Sequence, residues 1–316
     1  MRINRLGNTD LLVSELGFGA FAIGGNSTGN SYGPTSDQTS IAAIHAALDL
    51  GITFFDTANV YGNGHSETLL GKALRLAGSR HAVVIASKVG GRFSDGDTDQ
   101  TWSPGYIEAA LDASLARLDR DYLDLYQLHN PPPEVVERGE VFDVLARLQT
   151  AGKIRHHGVS IHTPADGEIC LRDGRPQTLQ LVYNLFSLLH PETSLDVLFE
   201  PAMAQGVGVI AREPLAAGYL SGRHAIDTHY GPGDNRGRWP QARRQLFCTL
   251  VEAVRRLEQP GITLAQAALR FVLDEPAIAT TIVGIKTPEQ ARENAAATAL
   301  PHFHQLELAT ADCDMR

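Results

Sequence analysis

The chain has 316 residues, 43% hydrophobic and 20% charged, with a formal net charge of -9; this supports a sizeable buried core and excludes a disordered or low-complexity chain. The length suits one barrel of roughly 250 residues plus insertions, so a single domain over 1–316 is expected. Net negative charge with scattered Lys and Arg argues against nucleic acid as a main partner, and no apolar stretch reaches the roughly 20 residues of a membrane helix; the expectation is a cytoplasmic protein that spans no membrane.

In chain order, 5–15, centred on Gly7-Asn8-Thr9-Asp10, reads as a small hairpin placed to plug a barrel floor. Short β-rich apolar runs follow at LGFGAF (16–21), ITFFD (52–56), AVVIAS (82–87), YLDLYQLH (122–129), IRHHGVS (154–160), TLQLVY (178–183), VGVIAR (207–212) and ATTIVG (279–284). Helical spacing marks 37–50, 66–77, 103–118, 134–151, 194–205, 241–257, 263–273 and 288–297. Asp37 is a capping candidate for the first of these, and Gly51 a natural stop. The Gly- and Pro-rich stretch 214–240 shows no periodicity and reads as a long loop on the active-site face.

Alternating strands and helices predict a parallel sheet, and eight such units predict closure into a (β/α)8 TIM barrel, an α/β fold. The rival is an open doubly wound sheet. It requires Gly-x-Gly-x-x-Gly in its first βα turn, and Gly17, Gly19, Gly24 and Gly25 do not have that spacing. Cys170, Cys248 and Cys313 lie far apart without metal-type spacing and read as free thiols.

Three consecutive strands end in ionisable residues: Asp56, Lys88 and His129. A barrel gathers such ends at its C-terminal mouth, where Tyr61 from the loop after strand two can join them. Singly, each has an ordinary reading as a turn cap, a solvated lysine, a strand-end histidine or a packed aromatic. Together they form an acid–base set. Hydride transfer to a carbonyl leaves charge on oxygen that a proton donor must meet, and a phenol with pKa near 10 is a weak acid at neutral pH. Lys88 would favour the phenolate and lower the Tyr61 pKa, Asp56 would hold Lys88 charged, and His129 would orient the substrate oxygen.

The segments FFDTANVYGNGHSE (54–67), SKVG (87–90) and LDLYQLHNP (123–131) resemble those carrying the catalytic residues of the aldo-keto reductase family. The resemblance covers nearly the whole chain, through GKIRHHGVS (152–160), Gln180, REPLAAGYLSG (212–222) and VGIKTPEQARENAAA (283–297). It implies an NADPH-dependent oxidoreductase, with NADH possible as the cofactor, acting on an aldehyde, ketone or sugar-like carbonyl or the matching alcohol. The implied cofactor contacts are Ser160 and Gln180 at the carboxamide, and Pro214, Leu215, Gly218 and Leu220 along the phosphates and the adenosine side. Gly284, Lys286, Thr287, Gln290 and Asn294 would hold the adenosine half. Lys286 and Thr287 begin a helix, where a cation, a hydroxyl and unpaired N–H groups suit a phosphate, which favours NADPH.

Two positions depart from the family pattern: Ile161, where an Asn is usual, and Arg212, where an aromatic is usual. A planar guanidinium at Arg212 can stack on a nicotinamide, less favourably on the oxidised, positive ring. Phe21, Tyr32, Trp102 and Trp239 are candidate pocket aromatics. Two alternatives stand beside the reductase: a barrel aldolase with Lys88 as Schiff-base nucleophile, and a cofactor-holding regulatory subunit with slow turnover. A Lys88 paired with a carboxylate would stay protonated and non-nucleophilic, which weighs against the aldolase.

Overall fold

The structure is a computed structural model that describes residues 1–25, 31–94 and 97–302. Eight parallel strands close into a barrel: β1 (Leu16–Gly19), β2 (Phe54–Asp56), β3 (Val84–Val89), β4 (Leu123–His129), β5 (Ile154–Ser160), β6 (Thr178–Val182), β7 (Gly208–Arg212) and β8 (Ile278–Gly284). They pair in sequence order, and β8 pairs β1 to complete the ring.

Strand alternation divides the apolar residues between two cores. Phe54, Ala86, Leu125, Ile210 and Ile282 point into the barrel, where Leu6, Leu11 and Val13 close the floor. The antiparallel strands Ile3–Arg5 and Leu12–Ser14, with the turn that joins them, carry these three side chains, so the expected hairpin plug is present. The opposite parity, including Phe55, Ile85, Tyr126 and Leu128, packs outward against the helices. Each fully buried large side chain contributes roughly 1.5–3 kcal/mol.

The differences from the sequence reading have local causes. The first helix, Asp37–Asp49, is capped by Ser36, which accepts from the Thr39 N–H; Asp37 is already helical. The stretch 134–151 is two helices, Pro133–Arg138 and Glu140–Thr150, parted by Gly139 at φ 77°. Only a residue without Cβ adopts that angle freely, and a Cβ there would lie 2.3 Å from Arg175 Nη2. The region 194–205 opens with a 3-10 turn, Asp196–Leu198, before the helix Phe199–Gln205. Between β5 and β6 runs a helix that periodicity did not mark, Pro164–Asp173, started by a Thr163–Asp166 capping box. An antiparallel pair, Gly91–Ser94 with Asp97–Gln100, follows β3. Cys170 and Cys248 are free thiols; Cys313 lies outside the described residues.

Candidate active site

Asp56, Lys88 and Gln127 sit above Phe54, Ala86 and Leu125, two residues further along the same strands. The period of two therefore turns all three side chains into the barrel mouth. Register sets Lys88 level with Gln127, and Asp56 opposite Ala86, one inward position before Lys88. Lys88, fully buried, donates to Asp56 Oδ1, to the Thr57 carbonyl at 3.0 Å and to Tyr61 Oη at 3.2 Å. Asp56 Oδ2 accepts from Gln180 Nε2 at 2.8 Å and Gln127 Nε2 at 3.2 Å. A buried carboxylate with three donors is fully compensated, as burial of charge demands.

Tyr61 stands on a turn beyond β2, held by its N–H to the Ala58 carbonyl at 3.1 Å and by Ser66 N–H to its own carbonyl at 3.2 Å. The next residue, Gly62, has φ 57°, and a Cβ there would lie 2.1 Å from the Gly24 carbonyl oxygen. Glycine is thus required for the close approach that seats Tyr61. The Tyr61 ring meets Phe21 edge-on at 4.9 Å and His129 at 5.8 Å. The four residues expected from the strand ends and the following loop do converge.

Burial pushes the Tyr61 phenol above its ordinary range; Lys88 pulls it back without cancelling that effect. This corrects the expectation of a lowered Tyr61 pKa: the ammonium acts in the expected sense but burial is the larger influence. For Lys88 the balance is reversed. Burial alone would weaken the ammonium, but Asp56 and Tyr61 outweigh it and hold Lys88 above the usual lysine range. A permanently protonated Lys88 is no Schiff-base nucleophile. Burial, then Lys88 and Arg212, press His129 well below the usual imidazole range, so it is neutral at pH 7.

From this group a cleft of about 580 Å³ runs between the loops after β1 and β7 to the start of the helix Pro288–Ala296. Asp56, Tyr61, His129, Gln180, Arg212, Pro214, Leu215 and Gly218 line it, as do Gly284, Lys286, Gln290 and Asn294. Four expected site residues do not. Lys88 lies behind Tyr61, and Ser160 is buried with its hydroxyl donating to Asn130 Oδ1 at 3.4 Å. Leu220 belongs to the outer core. Thr287 caps the helix, accepting from the Gln290 N–H. Of the candidate aromatics, Phe21, Tyr32 and Trp239 face the cleft, whereas Trp102 covers Gly90. A second cavity, about 450 Å³, lies at the opposite barrel end against the hairpin.

The segment after β7 carries left-handed backbone at Glu213, Ala216 and Ala217, with φ of 56°, 46° and 54°. Such angles at non-glycine residues cost of order 1–3 kcal/mol each and concentrate at binding sites. Further along, Asp234 bridges to Tyr32, and Arg236 stacks on both Tyr32 and Tyr230 at 4.9 and 4.8 Å. Lys286 Nζ donates to the Tyr32 carbonyl, so this strap joins the two rims of the cleft.

Sequence reasoning did not single out Gln127, Asn130, His162, Glu213 or Arg236. Gln127 had a usable signal, since it shares the inward parity of His129. Arg212 forks to Glu213 Oε1, to the Ile161 carbonyl at 3.1 Å and to His162 Nδ1 at 3.1 Å. Glu67, quoted above within its segment, is fully buried; it accepts from Ser87 at 2.5 Å and Arg117 at 2.7 Å and thereby ties the Tyr61 turn to β3.

A closed barrel whose C-terminal mouth gathers a tyrosine, lysine, aspartate and histidine beside a long cleft defines a (β/α)8 oxidoreductase. The chain belongs to the aldo/keto reductase family, whose profile matches residues 15–312, and is thus an NAD(P)H-dependent oxidoreductase. It is 32% identical over 295 residues to the aldo-keto reductase YhdN of Bacillus subtilis (strain 168), covering 92% of this chain and 86% of that protein. It is 29% identical over 308 residues to the NADH-specific methylglyoxal reductase of Escherichia coli (strain K12), covering 92% of each. The structure of aldo-keto reductase AKR11C1 from Bacillus halodurans (holo form) superposes with TM-score 0.78 and 27% identity, over 99% of this chain and 96% of that one.

Proposed function

We propose that the protein is an NADPH-dependent carbonyl reductase, running also as an alcohol dehydrogenase, in which Tyr61 transfers the proton. The observation that carries this reading is the Lys88 ammonium bonded at once to Asp56 and to the Tyr61 phenol. When bound, the nicotinamide supplies the hydride and is oxidised as the carbonyl becomes an alcohol. Tyr61 gives its proton to the carbonyl oxygen, and Lys88 stabilises the phenolate left behind until solvent returns a proton. Neutral His129, beside Tyr61, donates a hydrogen bond that aligns the same oxygen. In alcohol oxidation the Tyr61 phenolate accepts the proton.

The residues present fit the cofactor. Gln180, which lines the cleft, commits its NH2 to Asp56, since a carboxylate only accepts, and so leaves its buried Oε1 without a partner among the described residues. That oxygen suits a carboxamide NH2; Arg212 would complete this end, with Ser160 buried behind it, and Pro214 and Leu215 would lead on toward the phosphates. At the other end Lys286, Arg236 and Arg223 line the cleft, a cationic lining suited to phosphates. Gly218, Gly284, Gln290 and Asn294 would hold the remainder of the adenosine half, while Thr287 fixes the helix start as its cap and Leu220 supports the wall from the core.

Lys286 favours NADPH, although the Escherichia coli relative is named as NADH-specific. A fluorescence titration of the protein with NADPH and NADH side by side tests the reading. Tighter binding of NADPH is expected, and binding of neither would overturn it.

A further inference from the structure

Two consecutive residues of β3 grip the segment that carries Tyr61, one at each end. Lys88 faces the barrel mouth and donates to Tyr61 Oη at 3.2 Å. Ser87, of the opposite parity, faces the outer helices and donates to Glu67 Oε1 at 2.5 Å. Glu67 lies in the first turn of the helix His65–Leu76, so the segment 61–67 is held at its start from inside the barrel and at its end from outside. Between these points the chain closes on itself. The Ser66 N–H bonds the Tyr61 carbonyl at 3.2 Å, and the Ser66 hydroxyl donates to the Ala20 carbonyl at 2.8 Å. A slip of Glu67 against Ser87 is therefore passed on to Tyr61 against Lys88.

Glu67 is a fully buried carboxylate, and a single hydroxyl does not compensate such a charge. The remainder comes from Arg117, near the end of the helix Pro104–Leu118, whose Nε donates to Glu67 Oε2 at 2.7 Å. Helical spacing sets Gly64, Glu67 and Gly71 on one face, and both glycines admit Arg117. A Cβ on Gly71 would lie 2.7 Å from the Arg117 carbonyl oxygen, and one on Gly64 would lie 2.8 Å from Arg117 Cδ. Arg117 is thus seated by its backbone on one glycine, and its side chain runs back along the helix to Glu67 and the other. Neither Glu67 nor Arg117 lines the cleft. The charges that act most on the Tyr61 phenol are Lys88, Asp56 and Arg212, so Glu67 acts on it by position and not by its field.

Resting on the oxidoreductase reading, we infer that Glu67 and Arg117 are positioning residues for the proton donor: their buried pair registers the helix His65–Leu76 against β3 and so fixes the Tyr61 phenol on the Lys88 ammonium. Loosening the pair lengthens the Lys88–Tyr61 contact. Proton donation then slows, because the phenol is misplaced and its phenolate is less well stabilised. The phenol also loses part of the pull of the ammonium, so it ionises at higher pH.

Glu67→Gln tests this, since it keeps the shape and removes the charge, while Arg117, 30% exposed, is free to turn toward water. With an aldehyde such as 2-hydroxypropanal and NADPH or NADH, kcat should fall about tenfold or more, the scale of a small misplacement of a reacting group. The KM for the aldehyde and the affinity for the cofactor should not change. Adding Arg117→Met removes the orphaned guanidinium and should return the stability lost in urea unfolding without returning kcat. As a readout without turnover, protein made with 3-fluorotyrosine, whose phenol is more acidic than that of tyrosine, is titrated by fluorine NMR, the Tyr61 signal being assigned through Tyr61→Phe. Its midpoint should move up by about half a pH unit or more in Glu67→Gln as the pull of the ammonium weakens. An unchanged kcat and midpoint in Glu67→Gln, or a kcat that returns with stability in the double variant, overturns the positioning role alone. If the unsubstituted protein turns over the aldehyde with neither cofactor, the oxidoreductase reading fails, while the midpoint still decides whether Glu67 holds Tyr61 on Lys88.

Discussion

Gln180 Nε2 lies 2.8 Å from Asp56 Oδ2, the carboxylate oxygen that Lys88 does not take. The contact joins β6 to β2 across the barrel mouth, and it orients both ends of one amide. The NH2 holds the carboxylate in place, while the opposite oxygen is left buried and without a partner among the described residues. One side chain thus connects the charge network behind Tyr61 to the place where a carboxamide would dock.

The Asp56–Lys88 pair should behave as a unit. Lys88→Met leaves a buried carboxylate without its cation and should cost about 3–5 kcal/mol in stability, as breaking buried pairs does. Adding Asp56→Asn should recover most of that loss without recovering turnover. Urea unfolding of the two single variants and the double variant measures the coupling; additive losses would show that the pair is not coupled.

With the Tyr61 phenol above its ordinary range and His129 neutral, carbonyl reduction should show no ionisation limb between pH 6 and 9. Its kcat/KM should fall only at alkaline pH, about tenfold per unit once the phenol ionises, because the protonated form is the donor. Alcohol oxidation needs the phenolate and should rise with pH across the same range. A reduction profile with a midpoint near pH 7 would assign the proton to another group.

Lys286→Ala should weaken NADPH binding about tenfold or more, the scale of one charge-assisted bond to phosphate, and NADH binding far less. The two dissociation constants, taken from fluorescence titrations, decide it. An equal loss for both cofactors would mean that Lys286 acts only through its bond to the Tyr32 carbonyl.

His157, buried on β5 beside Phe142, has its pKa lowered by burial and then by His156 and Arg175, to about 4 from 6.5. The folded state therefore refuses a proton that the unfolded chain accepts. Its contribution is intact above pH 6.5 and is lost as pH falls from there to 4, by about 3 kcal/mol from the 1.36 kcal/mol that each pKa unit represents. His157→Phe should flatten the fall in unfolding free energy over that window relative to the unsubstituted protein. Parallel slopes for the two would contradict it.

The strand-end positions of Asp56, Lys88 and His129 were legible because a barrel strand is a short apolar run and its last residue must face the mouth. Closure was legible from eight such runs. Gln127 was concealed as one polar residue inside an otherwise apolar strand, visible only through its parity with His129. The helix Pro164–Asp173 was missed because its start signal, Thr163-Pro164-Ala165-Asp166, is local capping chemistry with little apolar periodicity behind it. The strap was beyond reach for another reason. Tyr32 and Asp234 pair across some two hundred residues, and no local pattern encodes such a contact. The direction of the Tyr61 pKa was likewise hidden, since it depends on how fully the phenol is enclosed and not on the charge of its neighbour alone.

The most direct test of the central claim is multiple-turnover NADPH oxidation with 2-hydroxypropanal by the unsubstituted protein and by Tyr61→Phe, with NADPH binding followed in the same samples. The substitution removes only the phenolic oxygen from a ring that still packs against Phe21. The expected result is a loss of at least about a hundredfold in kcat, the usual scale for a general acid, with cofactor affinity unchanged. Turnover that persists in Tyr61→Phe would contradict Tyr61 as the proton donor.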